Sequence, residues 1–259
     1  KKATEEGRKP RVFVVDFEGD VQASAVDSLR EEVTAILSIA EPQDEVVLRL
    51  ESPGGVVHGY GLAASQLSRI VGKEVKLTIA VDKVAASGGY MMACLGNQII
   101  AAPFALLGSI GVVAQIPNFN RFLKGKDIDV EILTAGEYKR TLTMFGENTE
   151  KGREKFVEDL EDTHELFKDF ISEHRPKVEV EKVATGEIWF GTRALEQNLI
   201  DRIETSDEYL FSQKDEADLY QVELVQKKSL PEKLGIHVES AFERVVTRWV
   251  QRFSNRIYT

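Results

Sequence analysis

Two turns built from a hydroxyl and paired glycines carry the candidate chemistry of this sequence: Ser52-Pro53-Gly54-Gly55 and Ser87-Gly88-Gly89-Tyr90. A serine becomes a nucleophile when a base takes its proton, and neighbouring glycines let backbone N–H groups approach the reacting atom. Taken singly, each glycine pair reads as a plain tight turn between a strand and a helix. Taken together on neighbouring strands of a parallel sheet, both turns lie at one edge. That convergence suits acyl transfer, with Ser87 as nucleophile and the N–H groups of Gly54, Gly55 and Gly88 as candidate donors to a developing oxyanion.

A serine needs a base. The histidines are His58, His164, His174 and His237, and none falls between His58 and His164. His58 follows the first glycine turn, whereas His164 and His174 lie in a charged helical stretch and read as solvated. The alternative is a neutral lysine, which requires burial to bring its pKa from about 10.4 towards roughly 7 to 8. Spacing alone does not select that lysine.

The elements that must position these residues are legible from periodicity. Val12 to Phe17 reads as a buried strand, and Ala25 to Ile39 carries Val26, Leu29, Val33 and Ile36 at helical spacing. Val46 to Leu50 is a second strand, ending at the first glycine turn; Tyr60, Ala63, Leu67 and Ile70 mark the next helix. Val75 to Val81 and Ile99 to Ala101 read as strands, Ser87 opens a helix to about Leu95, and Val130 to Leu133 gives one more strand. Glu147 to Glu173 reads as an amphipathic helix with Phe156, Leu160, Phe167 and Ile171 on one face. Thr192 is placed to cap a short helix, Asn198 to end it in the left-handed region, and Tyr220, Val222 and Leu224 alternate as a late strand. This alternation predicts a largely parallel sheet flanked by helices.

From Val84 to Asn120 the chain runs 37 residues without a charge, although charged residues make up 29% of the 259. Such a stretch is expected to be hidden from water. Gly88, Gly89, Gly96, Pro103, Gly108, Gly111 and Pro117 interrupt it, which argues for a globular core over a membrane span. The net charge of −10 works against a nucleic-acid phosphate backbone as ligand. One cysteine, Cys94, allows neither an internal disulfide nor a cysteine metal cluster and reads as a packed core residue. No metal or cofactor site is expected, since the histidines lack ligand-like spacing and no phosphate-binding glycine loop of the usual length occurs.

Ala85-Ala86-Ser87-Gly88-Gly89-Tyr90, with Glu51-Ser52-Pro53-Gly54-Gly55 upstream and Tyr138-Lys139 downstream, resembles the SppA/SohB family of serine-lysine signal peptide peptidases, most closely its half-length SohB-type members. The resemblance covers roughly Val12 to Asp201. It implies a ClpP/crotonase-like α/β spiral of repeated β-β-α units. It also implies that Ser87 is the nucleophile, that Lys139, 52 positions later, is the general base, and that Ser109, 22 positions after Ser87, orients the amine. Asn198 stands where that family's pattern has glycine. The implied substrates are short, apolar, extended peptides such as signal peptide remnants. The implied setting is a bacterial inner membrane, with the catalytic domain periplasmic, an anchor preceding Lys1, and a homo-oligomeric assembly.

The resulting division is a trimmed linker over 1–10, a peptidase domain over 11–230, and an amphipathic helical extension over 231–259. In that extension Val245, Val246, Trp249, Val250 and Phe253 line one face, and Arg244, Arg248, Arg252 and Arg256 recur every fourth residue. It suits packing on another subunit or, second, lying on an anionic membrane surface. The rival readings are a ClpP-type compartmental protease with a histidine triad, an acyl-CoA enzyme of the same fold, and a non-catalytic membrane-associated scaffold.

Overall fold

The computed structural model describes residues 8–225. The expected linker is therefore covered only from Arg8, and the arginine-striped extension over 231–259 lies outside the described residues. In chain order the first elements are β1 (Arg11–Glu18), α1 (Val26–Leu37), β2 (Glu45–Glu51), α2 (Val57–Val71), β3 (Lys76–Val81), β4 (Val84–Ala86), α3 (Gly88–Ala93), β5 (Gln98–Ala101) and β6 (Leu106–Gly108). After them come α4 (Asn120–Lys124), α5 (Glu150–His174), α6 (Val180–Val183), β7 (Ile188–Phe190), α7 (Gly191–Glu196), β8 (Arg202–Ile203), α8 (Ser206–Gln213) and β9 (Asp218–Gln221).

The larger sheet runs β8-β5-β3-β2-β1-β9 with every pairing parallel. Its central strands are apolar almost throughout because both faces are covered. Phe13, Val15 and Phe17 of β1 point into the main core with α1 and α2, while Val12 and Val14 point the other way, against Tyr209 of α8. Around Tyr209 the packing includes a polar knot: its hydroxyl and that of Thr78 both donate to Glu45, and the Lys76 amine donates to Tyr209.

A smaller sheet, β4-β6-β7, stands beside the first, with β4 parallel to β6 and β6 antiparallel to β7. A parallel bridge between Ser52 and Ala85 joins the sheets where the chain leaves β2. The long helix α5 starts on a capping bond from the Gly152 N–H to Thr149 Oγ1. Its far end is tied down by the buried Arg175, which reaches the Asn198 carbonyl and Asp201, whose carboxylate also accepts the Ile99 N–H.

Val130 to Leu133 forms no strand: the run lies in irregular chain with Leu133 90% exposed, because no sheet edge meets it. Thr192 lies inside α7 and its hydroxyl donates to the Pro103 carbonyl instead of capping the helix. The late strand ends at Gln221, short of Val222 and Leu224. The uncharged stretch is mostly core as far as Ile110, apart from the exposed turn at Pro103 and Phe104; beyond Ile110, Val113 is 90% exposed and Phe119 is also exposed. Of the apolar face expected on α5, Phe167 and Ile171 are buried, whereas Phe156 and Leu160 are half-buried. Asn198 does adopt the left-handed conformation, at φ 60°. Cys94 is fully buried, and burial pushes its thiol up to about 12.

Candidate active site

Ser87 sits between β4 and α3 with φ 51° and ψ −120°. A non-glycine residue in that region is strained, and the strain persists only where surrounding contacts enforce it. Here they do: the Ser87 N–H donates to the Gly108 carbonyl (2.8 Å), and the Met91 N–H donates back to the Ser87 carbonyl (3.0 Å), starting the helix. A sharp strand-to-helix turn of this kind presents its hydroxyl above the sheet, the arrangement of a nucleophile elbow.

The first glycine turn is pressed against this elbow. The Ser52 N–H donates to the Val84 carbonyl (2.8 Å), and the Ala86 N–H donates to the Ser52 carbonyl (3.0 Å). Gly54, at φ +89°, lies so close that a Cβ there would stand 2.6 Å from Ser87 Cβ and 2.8 Å from the Gly88 nitrogen. Any side chain at 54 therefore displaces the elbow. The Gly54 N–H, however, donates to Ser52 Oγ (3.1 Å), which removes it from the set of oxyanion donors read from the sequence. The N–H groups of Gly55 and Gly88 make no hydrogen bond among the described residues.

Tyr60, which the sequence marked only as a helix-face residue, holds this turn. Its buried hydroxyl donates to the Asp20 carbonyl (2.8 Å) and lies 2.6 Å from Ser52 Oγ. A carbonyl can only accept, so the tyrosine proton is committed to Asp20, Ser52 donates to Tyr60, and Ser52 Oγ remains free to accept from Gly54. Burial pushes the Tyr60 phenol up, which keeps that proton in place. The Tyr60 ring also fills the space beside Gly88, where a Cβ would meet Tyr60 Cγ at 2.3 Å. Tyr60→Phe is expected to leave the Ser52 hydroxyl without its acceptor and let the turn shift. The expected outcome is a fall of about tenfold in peptide kcat/KM, with a Tm loss of only a few degrees, read by steady-state kinetics beside a thermal melt.

Ser109 joins Ser87 through strand register. Ala86 pairs with Gly108 across β4 and β6, so Ser87 and Ser109 each follow the last paired residue of two adjacent strands. Ser109 is likewise left-handed (φ 49°), and its N–H donates to the Glu187 carbonyl. Lys139 makes no hydrogen bond to either serine among the described residues. It lies exposed in irregular chain, and its amine has no polar partner among the described residues. His58 is exposed in the first turn of α2. His164 and His174, read as solvated, are half-buried; His174 Nδ1 contacts the Phe170 carbonyl, and His164 Nε2 is buried without a partner.

Beside Ser87 opens a cavity of about 240 Å³. Val57, Tyr60 and Gly61 of α2, Met91 of α3, and Leu166, Phe167 and Phe170 of α5 wall it, with Gly111 to Val113 along one side. No charged residue lines it.

A strained serine between strand and helix, next to a glycine turn with unpaired N–H groups and an apolar cavity, defines an α/β serine hydrolase. The chain belongs to peptidase family S49: the family's model matches residues 69–220, and the model of its N-terminal part matches residues 1–67. It is 55% identical over 245 residues to a probable protease SohB of Haemophilus influenzae, covering 95% of this chain and 69% of that protein. It is 62% identical over 203 residues to a probable protease SohB of Buchnera aphidicola subsp. Schlechtendalia chinensis, covering 78% and 67%. Protease 4 of Haemophilus influenzae is 26% identical over 202 residues, covering 75% of this chain and 32% of that protein. Among solved structures, the 1510-N membrane-bound stomatin-specific protease, as a lysine-to-alanine mutant with a substrate peptide, superposes with a TM-score of 0.52 at 14% identity, covering 89% of this chain and 98% of that one. These likenesses agree with a ClpP/crotonase-like spiral fold, and the protein is a serine peptidase.

Proposed function

We propose that the chain cleaves extended apolar peptides through a Ser87 acyl-enzyme, with Lys139 as general base, Ser109 orienting its amine, and the Gly55 and Gly88 N–H groups binding the oxyanion. The strained Ser87 elbow opening directly into an uncharged cavity carries this reading. Ser87 Oγ attacks the scissile carbonyl as Lys139 takes its proton. The carbonyl oxygen becomes an anion facing the two glycine N–H groups, and the protonated amine then gives its proton to the leaving nitrogen. Water activated by the same amine releases the acyl group.

A lysine acts as a base only when neutral, which requires shelter from water. Lys139 is exposed among the described residues, so the reading includes a homo-oligomer whose contacts bring a Lys139 amine to each Ser87. Exposed apolar residues in the chain segment that carries this lysine support this: Phe122 is 65% exposed, Leu133 90%, and Phe119, Met144 and Phe145 are also exposed. Signal peptide remnants are the proposed substrates and a bacterial inner membrane the proposed site of action, with the catalytic domain periplasmic and an anchor preceding Lys1. No helix of the described residues is long and apolar enough to cross a membrane.

Fractionating the chain by size, with mass measured by light scattering and hydrolysis of an unstructured apolar peptide assayed across the fractions, tests the reading. Activity is expected to follow the assembled species and to vanish on dilution to monomer. A fully active monomer contradicts the assembly requirement, and an inert assembly supports the scaffold reading instead.

A further inference from the structure

Gly61 lies inside helix α2, where glycine is less favourable than alanine because its backbone has more freedom to lose. A glycine in such a place needs a reason. The cavity beside Ser87 has other glycines in its wall, and each of them has one. A Cβ on Gly55 would meet the Val21 carbonyl oxygen at 2.1 Å, on Gly88 it would meet Tyr60 Cγ at 2.3 Å, and on Gly111 it would meet Gly186 Cα at 3.3 Å. At Gly61 nothing lies within 4 Å of the Cβ position, and its φ is not in the left-handed region. Neither packing nor backbone conformation therefore calls for glycine at this position. What the missing side chain leaves is volume, in the wall of the cavity next to the nucleophile.

We infer that Gly61 sets the upper size limit of the substrate side chain held beside Ser87, keeping the cavity wide enough for an aromatic or long aliphatic group. The inference rests on the proposed peptidase function of Ser87. A cavity of about 240 Å³ has the room; for comparison, an apolar cavity of about 150 Å³ takes up benzene. Val57 and Tyr60 flank Gly61 on the same face of α2, and Leu166 and Phe170 of α5 also line the cavity. Apart from Ser87 itself, a group entering it meets mostly apolar surface and the hydroxyls of Tyr60 and Thr163, each already donated to a backbone carbonyl. A charged side chain would find no partner there, and a small one would leave space unfilled. The site selects by size and apolarity, and position 61 fixes the size.

The test compares two unstructured apolar peptides that differ only in having phenylalanine or alanine immediately before the scissile bond, using the whole chain and its Gly61→Ala and Gly61→Leu variants. The native chain is expected to prefer phenylalanine. Gly61→Leu is expected to lower the ratio of kcat/KM values, phenylalanine over alanine, by roughly 30-fold or more, in the range that a few methylene groups command in an apolar pocket. Gly61→Ala is expected to lie between, with a raised Tm. An unchanged ratio in an active Gly61→Leu variant, or a native chain that prefers alanine, overturns the inference. The same peptides are also titrated onto Ser87→Ala chains with and without Gly61→Leu. A selective loss of affinity for the phenylalanine peptide supports the size limit even if no chain hydrolyses either peptide. That pattern assigns the failure to the chemistry at Ser87, whereas equal affinities in the two backgrounds overturn the role of Gly61.

Discussion

Ser87→Ala is expected to lower peptide hydrolysis by at least about 10⁴-fold while leaving the fold intact, since removing a nucleophile in a hydrolase leaves only binding and oxyanion stabilisation. The structure adds a second signature. Ser87 is held at φ 51° and ψ −120°, a conformation that costs a side-chain-bearing residue about 1–3 kcal/mol and that glycine adopts freely. Ser87→Gly should therefore be equally inactive yet more stable than Ser87→Ala by roughly 1 kcal/mol. Denaturant melts beside single-turnover assays of the two variants check both halves. Equal stability of the two would mean that the elbow is not strained, and residual turnover in both would place the nucleophile elsewhere.

The next largest effect is expected at Lys139. Lys139→Ala should reduce turnover by roughly 10³-fold, the scale of a lost general base. Lys139→Arg should be as poor, because a guanidinium keeps its proton under all working conditions. The arginine variant decides between roles. A lysine that only paired with a charge or anchored a subunit contact would be replaced in large part by arginine, whereas a base would not. Recovery of activity in Lys139→Arg would remove Lys139 from the chemistry.

Much of the frame that positions Ser87 is legible in the sequence. β1 and β2 are runs of β-branched and aromatic residues because both faces are buried, and α1 and α2 show their apolar stripes plainly. The two glycine turns follow, and their convergence needs only parallel neighbours. β4, β6 and β7 were not legible: each is three residues long within an apolar context that shows no alternation. That Ser87 and Ser109 follow paired strand ends depends on the register of two of those strands, which the residues alone do not show; the roles of Ser109 and Lys139 come from family resemblance. The part played by Tyr60 is invisible in sequence because a buried tyrosine on a helix face is ordinarily core, and only the bond to Ser52 sets it apart. The misreading of Val130 to Leu133 and the unburied end of the uncharged stretch have one physical root. Both are apolar segments that the described residues leave exposed.

The most direct measurement of the central claim is to stop the reaction with acid during turnover of an apolar peptide ester and map the covalent adduct by mass spectrometry. The expected result is the acyl half of the substrate attached to Ser87, absent in Ser87→Ala and accumulating less in Lys139→Ala. Turnover with an unmodified Ser87, or an adduct on Ser109, Ser52 or Cys94, would contradict it.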